Sequence, residues 1–136
     1  MSYAYEDAVG YPTPFRHLVD WTWVWAGLLV FGKLLDAGTT AVGLLYVPGF
    51  VEANPFAALY FDALGVVTGL VTLSILTVAI VATVTELGAR YLEGHEESPG
   101  WGPTATRFVG YVPLTIVFVF AALHNTGLIV RVVFFG

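Results

Sequence analysis

The chain has 136 residues, of which 57% are hydrophobic and only 11% charged, with a mean hydropathy of +0.80. Ordinary soluble domains carry about 25% charged residues, so a water-soluble surface is excluded, and so is disorder, which requires a chain poor in apolar residues. Five Lys and Arg against ten Asp and Glu argue against nucleic acid as a partner, and the lack of cysteine excludes disulfides, thiolate metal sites and cysteine nucleophiles. A small integral membrane protein remains.

The first stretch, residues 1–17, holds Tyr3, Tyr5, Tyr11, Pro12 and Pro14 beside Glu6 and Asp7. It is too polar and too broken to cross a bilayer. It has neither the basic start nor the cleavage site of a signal peptide, so it is expected to be retained. Its tyrosines suit the headgroup zone, and Trp21, Trp23 and Trp25 continue that aromatic belt into the first apolar run.

Three runs reach the roughly 20 apolar residues that a spanning helix needs. They cover about residues 19–46, 65–92 and 104–135. Pro48 and Gly49 end the first. Glu52-Ala53-Asn54-Pro55 follows, with Asn at a favoured N-cap and Pro at a favoured first helical position. A helix therefore starts at Pro55. Continued to Leu92 it would measure roughly 57 Å, longer than the ~40–45 Å of a whole bilayer. A bend near Gly65 is expected, leaving a short outer interfacial helix over about residues 55–64. Gly65 and Gly69 form a small-xxx-small pair for close helix packing. The acidic, breaker-rich loop Glu93 to Pro103 lies outside the hydrocarbon, and Thr104 is placed to cap the third span. Pro113 either kinks that span or marks its true start.

Lys and Arg in short loops set orientation. Arg16, Arg90 and Arg107 share one side and Arg131 lies on the other, so a cytoplasmic N-terminus and an outside C-terminus are expected.

Ionisable residues inside a span are costly and point to function by default. Lys33 and Asp36 share a face of the first span, and Thr40 extends it. The third span carries His124, Asn125 and Thr126. Antiparallel packing would bring His124 and Asp36 to comparable depth in the outer half, with Glu52 and Asn54 above them if the connection folds inward and Thr68 and Thr72 completing the wall. Lys33, Asp36, Thr40, Glu52, Asn54, His124 and Asn125 are thus one candidate polar site. Asp36, Glu52 and His124 are candidate ligands for a divalent cation, although no spacing here is a metal motif. A carboxylate and an imidazole also suit proton transfer. Equally, Lys33 and Asp36 can neutralise each other while His124 and Asn125 join helices. Glu86 and Arg90 form an ordinary i,i+4 pair. Ser74, Thr77 and Thr83 can bond their own backbone.

The run Asp36-Ala37-Gly38-Thr39-Thr40 followed by Glu52-Ala53-Asn54-Pro55 resembles a family of small multi-pass membrane proteins of archaea and bacteria. The resemblance covers about a fifth of the chain. It implies an α-helical membrane fold with no assigned activity, and it groups Asp36, Thr40, Glu52 and Asn54. A single lysine and acidic loops also look like a halophilic archaeal composition.

The expectation is an all-α membrane protein of one domain, with three transmembrane helices and a short outer helix. Its partners are the lipid bilayer and either further copies or a larger membrane complex. No cofactor is indicated. A structural or accessory subunit is the leading reading. A small-solute or proton-coupled transport component using Asp36 and His124 is the alternative, followed by a membrane-embedded metal-dependent or acid–base enzyme.

Overall fold

The computed structural model describes residues 22–135. The tyrosine-rich segment 1–17, with Arg16, His17 and Trp21, lies outside the described residues. The fold is all-α. Helix α1 spans Thr22–Tyr46, α2 Pro55–Leu64, α3 Val66–Glu93 and α4 Gly102–Phe135. Three of these, with 25, 28 and 34 residues, are long and apolar enough to cross a membrane. At 1.5 Å per residue α4 measures roughly 51 Å, longer than the ~40–45 Å of a whole bilayer.

Helices α1 and α4 run parallel in a constant register. Trp25 meets Phe108 edge-on at 5.6 Å, the Lys33 ammonium stands over Phe118, and Asn125 bonds Thr40. Gly32 lets the two backbones approach: a Cβ there would lie 3.4 Å from the Thr115 carbonyl oxygen. Helix α3 runs the other way, with Glu86 facing Arg107 and Gly88 facing Thr106. Asp36 and His124 therefore do lie at comparable depth, but through parallel packing of the outer two spans. Antiparallel packing is confined to their contacts with α3.

Few large side chains are buried among the described residues, and Trp25, Leu29 and Tyr111 pack together as a core cluster. Most large apolar side chains point outward, including Ile75, Ile80, Val84, Ile116 and Phe120. An outward apolar surface on this scale suits lipid and would be unsustainable in water. Trp23 is 86% exposed and open to the surroundings of the bundle, as an anchor requires. Trp25 does not: it is buried against Phe108, because the helical repeat turns it from the outer face toward α4.

Asn54 caps α2 as the sequence suggests, accepting the Phe56 N–H at 3.0 Å with its side-chain oxygen, and Pro55 opens the helix. The bend after α2 is a single residue. Gly65 has φ 79° and ψ 159°, and donates its N–H to the Phe61 carbonyl at 2.8 Å. Only glycine occupies that region readily. The two glycines of the small-xxx-small pair have different jobs. Gly65 is the hinge, with nothing within 4 Å of where a Cβ would stand. Gly69 receives Phe61 and the Tyr60 carbonyl, so the partner it admits is α2 itself. One other boundary departs from expectation, and an open one is decided. Helix α4 begins at Gly102, so Thr104 sits inside its first turn, buried, and caps nothing. The helix also continues through Pro113 without a break.

Gly65→Ala should destabilise the bundle by about 1–3 kcal/mol, the cost of holding a Cβ-bearing residue in this conformation. Denaturant unfolding in bicelles checks it, and Gly94→Ala, at an ordinary αR position, should cost much less.

Candidate functional site

The connection between α1 and α2 folds back over the bundle. Val47 N–H donates to the Gly43 carbonyl at 3.0 Å, and Phe50 N–H to the Val47 carbonyl at 3.2 Å. This turn lays the Phe50 ring on Gly43, where a Cβ would stand 2.6 Å from the ring. On the other side the Phe61 ring lies on Gly69, where a Cβ would stand 2.7 Å away. Two glycines thus admit two phenylalanines. Both rings help to line a cavity of about 410 Å³ beneath the connection and α2. That volume is within the ~300–1,000 Å³ range of small-molecule sites.

All seven residues of the candidate polar site line this cavity. From α1, Lys33 Nζ donates to Asp36 Oδ2 at 2.7 Å, and both side chains are largely buried. The Lys33 ammonium also sits 4.7 Å from the centre of the Phe118 ring. Asn125 Nδ2 on α4 donates to the buried Thr40 hydroxyl on α1 at 3.0 Å. From the connection, Glu52 Oε1 accepts the Asn54 N–H at 2.7 Å. His124 is exposed at the cavity edge and has no hydrogen bond among the described residues.

The wall contributed by α3 differs from expectation. Leu70, Leu73 and Thr77 face the cavity, while Thr68 is exposed. Gly69 must turn toward α2, and a rotation of about 100° per residue then carries Thr68 outward. Ser74 does not bond its own backbone: its hydroxyl oxygen is buried without a partner among the described residues. Thr39 and Thr126 do, donating to Leu35 and Ala122 carbonyls respectively.

The metal expectation is not met by this geometry. Among the described residues no group of three or more His, Asp or Glu could hold a metal ion. Asp36, Glu52 and His124 share a cavity without sharing a coordination sphere. Asp36 is tied to Lys33 on its own helix, and Glu52 is folded onto Asn54.

A second polar cluster, at the opposite end of the bundle, escaped the sequence reading. Arg107 on α4 binds Glu86 on α3 through two nitrogens, with Nε 3.1 Å and Nη2 3.0 Å from Oε2. Its Nη1 donates to Glu93 Oε1 at 2.9 Å, and the Tyr111 hydroxyl donates to Glu86 Oε1 at 3.0 Å. Glu86 therefore pairs with Arg107, not with Arg90, which faces out. A planar guanidinium matches a carboxylate with two bonds, which an i,i+4 neighbour on the same exposed face does not improve upon. The available signal was the pattern of Glu86 and Glu93 seven apart on one face, opposite Arg107 and Tyr111 four apart on the next helix. Pairing them requires knowing that α3 and α4 form an antiparallel hairpin.

Comparison with known protein families, curated proteins and solved structures returned no match.

Arg107→Ala should lower stability by about 1–3 kcal/mol, because it strands the partly buried Glu86 carboxylate between helices. Unfolding in bicelles reads the loss, and Arg90→Ala in the same assay should change little.

Proposed function

We propose that this chain is a multi-pass protein of the cell membrane, acting as a structural or accessory subunit of a homo-oligomer or larger membrane assembly. One observation carries the reading. Four polar side chains inside the spans are committed to bonds within the protein, Lys33 to Asp36 along α1 and Asn125 across to Thr40. Glu52 and Asn54 are likewise engaged in starting α2. The Asn125–Thr40 bond joins two helices, and interhelical bonds of this kind act as adhesive and define one packing among several. The thin bundle supports the assembly role, since three spans bury few side chains and leave apolar faces free for lipid or a neighbouring helix.

The proposed topology has a cytoplasmic N-terminus and an outside C-terminus. Arg90 and Arg107 lie at the end where α1 begins, and Arg131 lies at the other. The cavity then faces outward.

A small-solute or proton-coupled transport component is the second reading. It is favoured by Asp36 and His124 lining the same cavity. Asp36 would carry the proton and His124 would relay it.

The chain has no cysteine, so single cysteines report topology directly. An impermeant maleimide applied to whole cells should label Pro48→Cys in the α1–α2 connection and spare Glu96→Cys in the α3–α4 loop. The reverse pattern overturns the orientation. Asp36→Asn and Asn125→Ala separate the two functional readings. Under the structural reading both variants lower the melting temperature in bicelles and shift the native mass of the assembly. A folded Asp36→Asn protein of unchanged mass that has lost proton flux in liposomes would replace that reading with transport.

A further inference from the structure

The bonds that support the structural reading do not use the whole cavity. Its lining holds two carboxylates, Asp36 and Glu52, and one ammonium, Lys33. Lys33 answers Asp36 at 2.7 Å. Glu52 has no cationic partner within salt-bridge distance among the described residues, and the hydrogen bond to Asn54 engages only Oε1. The cavity therefore carries a half-buried carboxylate with no cationic partner among the described residues.

The rest of the lining narrows what could answer it. Phe50, Phe56, Phe61 and Phe118 all contribute to the walls. Phenylalanine supplies no ligand oxygen for a bare metal ion, and no metal-holding group exists among the described residues. Aromatic faces do attract organic cations, most strongly where water is excluded. An anion is disfavoured by both carboxylates. Two of the N–H groups at the start of α2 are already taken, that of Phe56 by Asn54 Oδ1 and that of Asn54 by Glu52, which leaves that of Ala57 to set against two carboxylates. The protein itself shows how an ammonium is held here. Lys33 Nζ is clasped between the Asp36 carboxylate and the Phe118 ring, 4.7 Å from its centroid. Glu52 lines the same cavity as Phe50, Phe56 and Phe61, so a carboxylate and phenylalanine rings occur together there a second time, with no side-chain cation paired to Glu52 among the described residues.

We propose that this cavity binds a monovalent organic ammonium ion with an apolar body, using Glu52 as the counter-charge and the phenylalanine rings as walls. The inference goes beyond the assembly role and stands independently of it. It uses Glu52 and the phenylalanine rings, whereas the assembly role is supported by the Lys33–Asp36 and Asn125–Thr40 bonds and the outer apolar faces.

The test uses the full chain in nanodiscs of zwitterionic phosphatidylcholine, which avoids charge-driven adsorption to lipid. Benzyltrimethylammonium is the probe, and neopentylbenzene, its uncharged carbon isostere, is the control. Equilibrium dialysis should show saturable binding of the ammonium at one site per chain, at least ten-fold tighter than the isostere. Glu52→Gln keeps the side-chain oxygen that accepts the Asn54 N–H, so α2 should still start correctly and the melting temperature should hold. It should weaken ammonium binding about ten-fold and leave the isostere unaffected. Phe56→Leu removes an exposed ring that has no role in seating α2 and should weaken binding several-fold. Three results would each overturn the proposal: no saturable binding to the wild type, equal binding of the isostere, or undiminished binding to Glu52→Gln with its fold intact.

Discussion

The seam between α1 and α4 governs the architecture. These helices run parallel and in register because Gly32 lets the backbones approach and large rings close the gaps on either side. In hydrocarbon there is no hydrophobic force to drive one apolar helix onto another, so close packing and interhelical hydrogen bonds must carry the association. Along this seam both are present in sequence: the Trp25–Phe108 edge contact, the glycine approach, the Lys33–Phe118 stack and the Asn125–Thr40 bond. Once the register is set, Asp36 and His124 must share one level of the bundle.

The two ends of the bundle use ionisable residues differently. At the end where α3 and α4 meet their loop, Glu86, Glu93, Arg107 and Tyr111 form a closed network between helices. It ties α3 to α4 across the hairpin. At the other end the Lys33–Asp36 pair lies within one helix, and the connection arches over it. The arch stands because Gly43 and Gly69 accept the Phe50 and Phe61 rings, which would otherwise collide with a Cβ. A cavity forms where charged groups occur at an end held by small residues and aromatic props. Where charges bridge the helices directly, the space beside them is an open groove along α3 and α4 lined mostly by apolar and small residues such as Val84, Gly88, Val109 and Gly110.

Individual residues show how far local rules reach. Asn54-Pro55 was legible as a helix start, because capping depends on a few adjacent atoms. The break at Gly65 was legible from the length of the apolar run set against the thickness of a bilayer. Trp25 was misread as an anchor, and Glu86 was misassigned to Arg90. In both cases the partner lies on another helix, so neither sequence distance nor helical spacing reveals it. The polar site is an intermediate case. Depth along each helix grouped its seven members, and they do line one cavity. Depth says nothing of the angle at which each side chain leaves its helix, so it could not distinguish a coordination sphere from a set of separately satisfied groups.

Apolar run lengths, breakers and caps by themselves determined that this chain is all-α, with three bilayer-length helices and one short one. These features depend on local backbone chemistry and on the requirement that every peptide group in lipid be bonded within its own helix. Only the tertiary structure decided which faces meet, that Gly69 admits α2, that Arg107 serves Glu86, and that Glu52 arches over the Lys33–Asp36 pair. Those outcomes depend on helix rotation and register. A shift of one residue turns a side chain by about 100°, and that angle is settled by packing between segments far apart in the chain.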